Sequence, residues 1–155
     1  MHWTGKLEHI HIAEAASVEM EELKSADLIA GKGIDGDRYL IGNGTYSSKP
    51  FPARQVTLIE KETLEALKRD HGIDLTPDLS RRNLTVTDTP LNHLVGRKFK
   101  VGEVVLLGGR LNRPCKYLDE LLEMELFNLL LNRSGLNCEI VSGGTIRPGG
   151  TVEPL

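Results

Sequence analysis

The sequence predicts a mainly β fold of the α+β kind: a closed or nearly closed barrel of about seven short strands with two or more packed helices. Three observations predict it. The chain has 155 residues, the length of a single domain, here 1–155. Its alternating and β-branched runs are short and are joined mostly by tight-turn signals, which favours a barrel over a βαβ sheet. Helical periodicity is strong in only two segments.

In chain order, KLEHIHIA alternates, with Ile10 and Ile12 on one face and His9 and His11 on the other, and reads as a strand. EAASVEMEEL is weakly patterned and is expected to be loop or short turn. IAGKGIDGDRYLIGNG holds five glycines and two aspartates, so it is expected to be loop with a brief strand at its start. RQVTLIE is short and β-branched, a strand. EKETLEALKRDHG has Leu64 and Leu67 on one face, acids first, bases last and Gly72 where a helix would stop. Pro77 lies in the following loop. NLTVTD sets Leu84 and Val86 against Thr85 and Thr87, another strand. FKVGEVVLLGG reads as strand, turn at Gly102, strand, and Val104 to Leu107 is apolar throughout, as when both faces are covered. From Tyr117 to Arg133 the pattern predicts one continuous helix, wide enough in its leucines to pack on two sides and capped by Gly135. LNCEIVSGG, the turn RPGG and TVEP complete the count with two more strands.

Composition removes several function classes. A net charge of -3 supplies no global basic field for nucleic acid, and 5% aromatics argues against base stacking. No apolar run approaches a membrane span, and MHWTGKLEHIHIAEAA lacks the pattern of a secretory signal. Two cysteines make no disulfide scaffold, so a reduced, cytoplasmic setting is expected.

The two cysteines differ. Cys138 shares its strand face with Leu136 and Ile140 and reads as a small core residue. Cys115, in LNRPCKYLDE, follows a proline that ends the preceding strand and stands between Arg113 and Lys116. The start of the long helix expected from Tyr117 adds positive potential. These neighbours favour thiolate over thiol, and the thiolate is both nucleophile and metal ligand. The competing reading is a solvated loop cysteine.

Other chemistries fit worse. The cysteines are too far apart for a C-x-x-C zinc or iron–sulfur site. A phosphatase-like loop needs an arginine six residues after the cysteine, where Leu121 and Gly144 stand. His9 and His11 read as a solvated or pocket-edge pair before they read as ligands. GIDGDR lacks the remaining ligands of a calcium loop, and GGTIRPGG has neither phosphate-loop nor dinucleotide spacing.

A second group is friendly to anions. SRRNLTV places Arg81, Arg82 and Asn83 at the mouth of a strand, and SGGTIRPGG brings Ser142, Gly143, Gly144 and Thr145 after another. Guanidinium forks and glycine-exposed amides both suit phosphate. Ordinary turns with solvated arginines are the competing reading. If these strand ends converge near Cys115, the site holds a phosphorylated ligand that offers something to a thiolate.

Taken together, GIDGDRY, RQVTLIE, RRNLTV, LVGRKFKVGEVVLLGGRLNRPC and GGTIRPGG resemble the MOSC domain, from about Gly5 to Val152. This is the C-terminal domain of molybdenum cofactor sulfurases, and it also occurs alone in small bacterial proteins. The resemblance implies a β-rich, pyruvate-kinase-barrel-like fold and a pocket for the molybdenum cofactor, a pterin dithiolene carrying a phosphate and a metal. It implies that Cys115 ligates molybdenum or carries sulfur, and that Arg81, Arg82 and Asn83 face the phosphate or pterin. Arg113 and Lys116 would add local positive charge. Gly36, Asp37 and Arg38 match a family motif too and are expected to serve the loop before the chemistry.

The function so implied is reduction of N-hydroxylated or related N–O compounds with an external electron donor. The alternatives are a sulfur carrier or sulfurtransferase using a Cys115 persulfide, and a non-catalytic cofactor carrier. No pyridoxal-phosphate domain fits in this chain, so an electron-transfer protein or a desulfurase would act in trans on a small-molecule substrate.

Overall fold

A computed structural model of the protein describes residues 2–45 and 52–155. Among the described residues the strands are β1 (Gly5–Ile12), β2 (Glu21–Leu23), β3 (Ala26–Ile29), β4 (Gly33–Ile34), β5 (Val56–Glu60), β6 (Leu84–Thr87), β7 (Lys98–Val101), β8 (Val104–Leu111), β9 (Leu136–Ser142), β10 (Gly144–Ile146) and β11 (Thr151–Pro154). The helices are α1 (Arg38–Ile41), α2 (Lys61–His71) and α3 (Lys116–Leu122).

Seven strands close a barrel in the order β11-β7-β8-β9-β5-β6-β1, and β1 pairs back onto β11 through Gly5↔Val152 and Lys6↔Thr151. Closure leaves no long edge within the barrel to template aggregation. The barrel is mixed: β5 and β6 run parallel, joined by the crossover helix α2, while the other pairs are antiparallel. β2 extends the sheet from β1, and β10, β3 and β4 form a second, three-stranded sheet. Among the described residues no helix is long and apolar enough to cross a membrane.

Side chains from alternate positions fill the lumen, Leu7, Leu58, Leu84, Phe99, Leu106 and Val152 all being fully buried there. β5 is covered on both faces. Val56 and Leu58 join the lumen cluster, while Ile59 packs outward with Leu64 and Leu67 of α2 and with Leu118, Leu126 and Leu130. That second cluster fastens the helical layer to one side of the barrel wall. α2 stops as its sequence predicts: Gly72 has φ 68° and its N–H donates to the carbonyls of Leu67 and Lys68.

The helix expected over 117–133 is interrupted. α3 ends at Leu122, and Glu123 takes a left-handed conformation at φ 54°. The carboxylate of Asp119 accepts hydrogen bonds from the amides of Leu126 (3.0 Å) and Phe127 (3.4 Å), which gives those amides a partner outside a helical ladder. The leucines beyond still pack, but from successive turns. Gly135 serves a different purpose from the expected cap. A Cβ there would lie 2.0 Å from the Leu58 carbonyl oxygen, so glycine lets the chain press against β5 as β9 begins. The segments expected to be loop also hold more order. β2 lies within EAASVEMEEL and its flank, and β4 and α1 form within the glycine-rich stretch, where the Asp37 side chain accepts from the Tyr39 amide at 3.3 Å and starts α1.

Candidate functional site

The barrel register builds the site floor. Thr57 of β5, Asn137 of β9 and Arg110 of β8 are cross-strand partners in one row. Their neighbours Leu58 and Leu136 face the lumen, so this polar row faces outward. α3 and the turns after it stand over the row, and between them is a cavity of about 220 Å³. Loops complete the wall: Arg38 and Tyr39 from α1, Arg54 from the 3-10 turn Pro52–Arg54, Arg81 and Arg82 from the approach to β6, and Arg113, Pro114 and Cys115 from the link between β8 and α3.

Among the described residues six arginines and one carboxylate line this cavity. The carboxylate, Asp119, is the one that accepts from the Leu126 and Phe127 amides. A protein of net charge -3 therefore gathers arginines in one recess.

Two of the arginines are deeply buried. Arg38, 4% exposed, donates to the buried carboxylate of Asp37 at 3.0 Å and to the Arg81 carbonyl at 3.1 Å. Asp37 also accepts from the amide of Ala13 at 3.2 Å. Arg81 is 7% exposed, with its backbone in the left-handed region at φ 60°. Its Nη1 donates to the Val18 carbonyl at 2.6 Å, whereas its buried Nη2 has no partner among the described residues. Burial, and then the charge of Arg38, pull the Arg81 pKa below the usual arginine value. A cation so placed is under-compensated.

Arg82 is arranged differently. It donates to the Ser134 carbonyl (3.0 Å), the Ser80 carbonyl (3.0 Å), the Asn112 Oδ1 (2.6 Å) and the Ser134 Oγ (2.8 Å).

Cys115 is half-buried in extended backbone at φ -137° and lines the cavity beside Pro114 and Arg113. α3 is only seven residues long, so the long helix expected to add positive potential at the sulfur is not formed. Cys138 is fully buried in the lumen cluster, where desolvation pushes its thiol pKa far up. The two thiols thus occupy opposite environments, one polar and accessible, the other inert.

The structure brings Cys115, Arg81, Arg82 and Arg113 together and separates other candidates from them. Asn83 is fully buried with its side chain turned into the wall: it accepts from the Thr57 amide (3.0 Å) and hydroxyl (3.2 Å) and donates to the His11 carbonyl (3.1 Å). Lys116 is exposed and does not line the cavity. Ser142, Gly143, Gly144 and Thr145 lie where β9 passes into the second sheet, away from the cavity lining. There Thr145 donates from its amide to Glu103 (2.8 Å) and from its hydroxyl to Asp27 (2.6 Å), surroundings that repel an anion. His9 pairs with Glu22 at 2.6 Å and His11 is buried beside it, and neither lines the cavity. Among the described residues no cluster of three metal-type side chains occurs.

Arg54 and Arg110 complete the recess without having stood out in the sequence, and Arg38 joins them. Arg38 lies in GDRY, a motif that the sequence assigns to loop structure before chemistry. Arg110 was hidden because strict alternation from Val104 and Leu106 points it into the lumen, and the register shift between Gly108 and Arg110 turns it out. Arg54 carries no local signal.

Fold and cavity define a small barrel protein with an accessible thiol set in an arginine-lined recess. The family model for the MOSC domain matches residues 32–153, and the chain belongs to that family. Its structure is similar to that of the YuaD protein from Bacillus subtilis, with TM-score 0.82 at 21% identity over 98% of this chain and 97% of that one. YiiM from Geobacillus stearothermophilus gives TM-score 0.76 at 11% identity, covering 97% and 75%. YiiM from Escherichia coli gives 0.69 at 15%, covering 100% and 70%. At these identities the likeness establishes the fold. No curated protein matches the sequence.

Proposed function

We propose that the protein binds the molybdenum cofactor in the arginine-lined cavity, with Cys115 as a metal ligand, and reduces N-hydroxylated or related N–O compounds with electrons from a partner protein. The observation that carries this reading is that one cavity is lined by the half-buried Cys115 and by Arg81, whose buried Nη2 has no partner among the described residues.

The residues fit the group. A thiolate is a soft ligand suited to molybdenum in a sulfur-rich site, and the Arg81 fork suits a phosphate. A volume of about 220 Å³ lies below the ~300–1,000 Å³ usual for larger ligands, so a pterin would extend through the mouth of the cavity. Arg81 would take the phosphate, and the arginines around the cavity would raise the local positive potential for an anionic ligand. Tyr117, whose hydroxyl bonds Ser17 at 2.9 Å, would close the cavity rim on the side of the 13–20 segment. The bound group would supply two-electron oxygen-atom chemistry, and the chain would orient it and limit water access. Two cysteines, one of them walled into the lumen, give this chain no cluster of its own, so the reading places the electron donor in trans.

The test is reduction of an N-hydroxylated base by cofactor-loaded protein supplied with an artificial electron donor. Loss of turnover in Cys115→Ala with the bound pterin retained supports the reading. Full turnover in that variant rejects it. A Cys115 persulfide found by mass spectrometry on metal-free protein would replace it with the sulfur-carrier reading.

A further inference from the structure

We infer that Arg82 is a positioning residue: through Asn112 it fixes the loop that carries Cys115, and it leaves the grip on the anion to Arg81. This rests on the reading of the cavity as a cofactor site and assigns different work to two arginines that are adjacent in sequence.

Their surroundings differ. Arg81 holds the Val18 carbonyl through Nη1 and keeps a buried Nη2 with no partner among the described residues, so its guanidinium has donor capacity left over. Arg82 would have to break bonds to turn toward a ligand, because its fork already joins Ser80, Ser134 and Asn112. These acceptors are all neutral, and the bonds to them fix the geometry of the fork.

Asn112 is the hub of this network. Its Oδ1 accepts from Arg82 at 2.6 Å and from Ser134 Oγ at 3.1 Å, its Nδ2 donates to Asn137 at 2.9 Å, and its amide donates to the Gly135 carbonyl at 2.8 Å. β8 ends one residue before it. Arg113, Pro114 and Cys115 follow with no ladder pairing, and proline has no amide to offer. Asn112 is therefore the last anchored residue before the thiol. A lysine at 82 keeps the charge but cannot reproduce the fork.

The experiment uses the full chain without cofactor. N-ethylmaleimide labelling at pH 7 is followed separately at Cys115 and Cys138 by peptide mass spectrometry, and affinity for inorganic phosphate is measured by calorimetry. In both Arg82→Lys and Asn112→Ala, Cys115 labelling is expected to rise about fivefold while Cys138 stays protected, the equivalent of about 1 kcal/mol of lost restraint. Phosphate affinity in Arg82→Lys is expected to stay within about twofold, whereas Arg81→Gln lowers it about tenfold and leaves Cys115 labelling unchanged. The inference is overturned if Cys115 labelling does not change in Arg82→Lys. It is also overturned if both thiols speed up together, which marks general loosening, or if Arg82→Lys loses phosphate as Arg81→Gln does. None of these measurements involves molybdenum, so a protein that proves metal-free would reject the functional reading and leave this result standing.

Discussion

Arg38 donates from Nη2 to the carbonyl oxygen of Arg81 at 3.1 Å, so one buried guanidinium holds the backbone of another in its left-handed turn. Two like charges are brought together in this way because Asp37, fully buried and 3.0 Å from Arg38, compensates the first of them.

Asp37→Ala should therefore be severe. It strands Arg38 as an unpaired buried charge and removes the acceptor of the Ala13 and Tyr39 amides. Breaking a buried pair from one side costs about 3–5 kcal/mol. Urea unfolding of the variant should show a loss of that size, and a loss below about 1 kcal/mol would mean the pair is not sealed from water.

Asn83→Ala should damage the barrel and spare the site. The substitution leaves the Thr57 amide without its acceptor and cuts the tie to His11, at about 1–3 kcal/mol for a stranded buried group. Calorimetry with phosphate should give an unchanged affinity in the folded variant. A large drop in affinity would put Asn83 in the binding wall after all.

Glu60 makes stability depend on pH. Burial first and nearby Glu62 second push its carboxyl up to about 7 from the ordinary 4.5. The folded state therefore binds this proton more tightly than the unfolded state. The resulting stabilisation is absent above pH 7 and grows as pH falls from about 7 toward 4.5. Glu60→Gln should be more stable than the wild type at pH 8, by about 1 kcal/mol after allowance for solvent screening of a half-exposed group, and the difference should shrink toward pH 5. His11 works in the opposite sense. Burial, countered by Glu22 and Asp78 and aided by His9, lowers its pKa, so stability falls as pH drops below about 6.5. That contribution is common to both proteins and cancels in the comparison. A difference that does not vary with pH would contradict the assignment.

Gly109→Ala probes how Arg54 is held. A Cβ at position 109 would lie 2.2 Å from the Ala53 Cβ, so the 3-10 turn Pro52–Arg54 must shift and carry Arg54 with it. Phosphate affinity should fall by about threefold to tenfold while the barrel stays folded. An unchanged affinity would show that Arg54 takes no part in anion binding.

What the sequence disclosed follows from the range of the interactions. Cys138, Gly72 and Gly102 were legible because alternation, helix termination and hairpin turns are local. The break at Glu123 was hidden because leucine spacing is the same for a helix and for turns that bury the same residues, and it took the Asp119 carboxylate to divert the Leu126 and Phe127 amides. Cys115 stood out through its immediate neighbours. Arg54 and Arg110 did not, since they meet it only after β5, β8 and β9 are laid side by side. Ser142 to Thr145 looked suited to an anion for the same reason in reverse: the acids that face Thr145, Asp27 and Glu103, are distant in sequence.

The central claim is tested most directly by measuring molybdenum and pterin in the wild-type protein as isolated from a cofactor-competent host, beside Arg81→Gln prepared in the same way. We predict close to one of each per wild-type chain and at least about a tenfold loss of pterin in the variant. Protein that folds normally yet carries neither metal nor pterin, with the variant indistinguishable from it, would contradict the account.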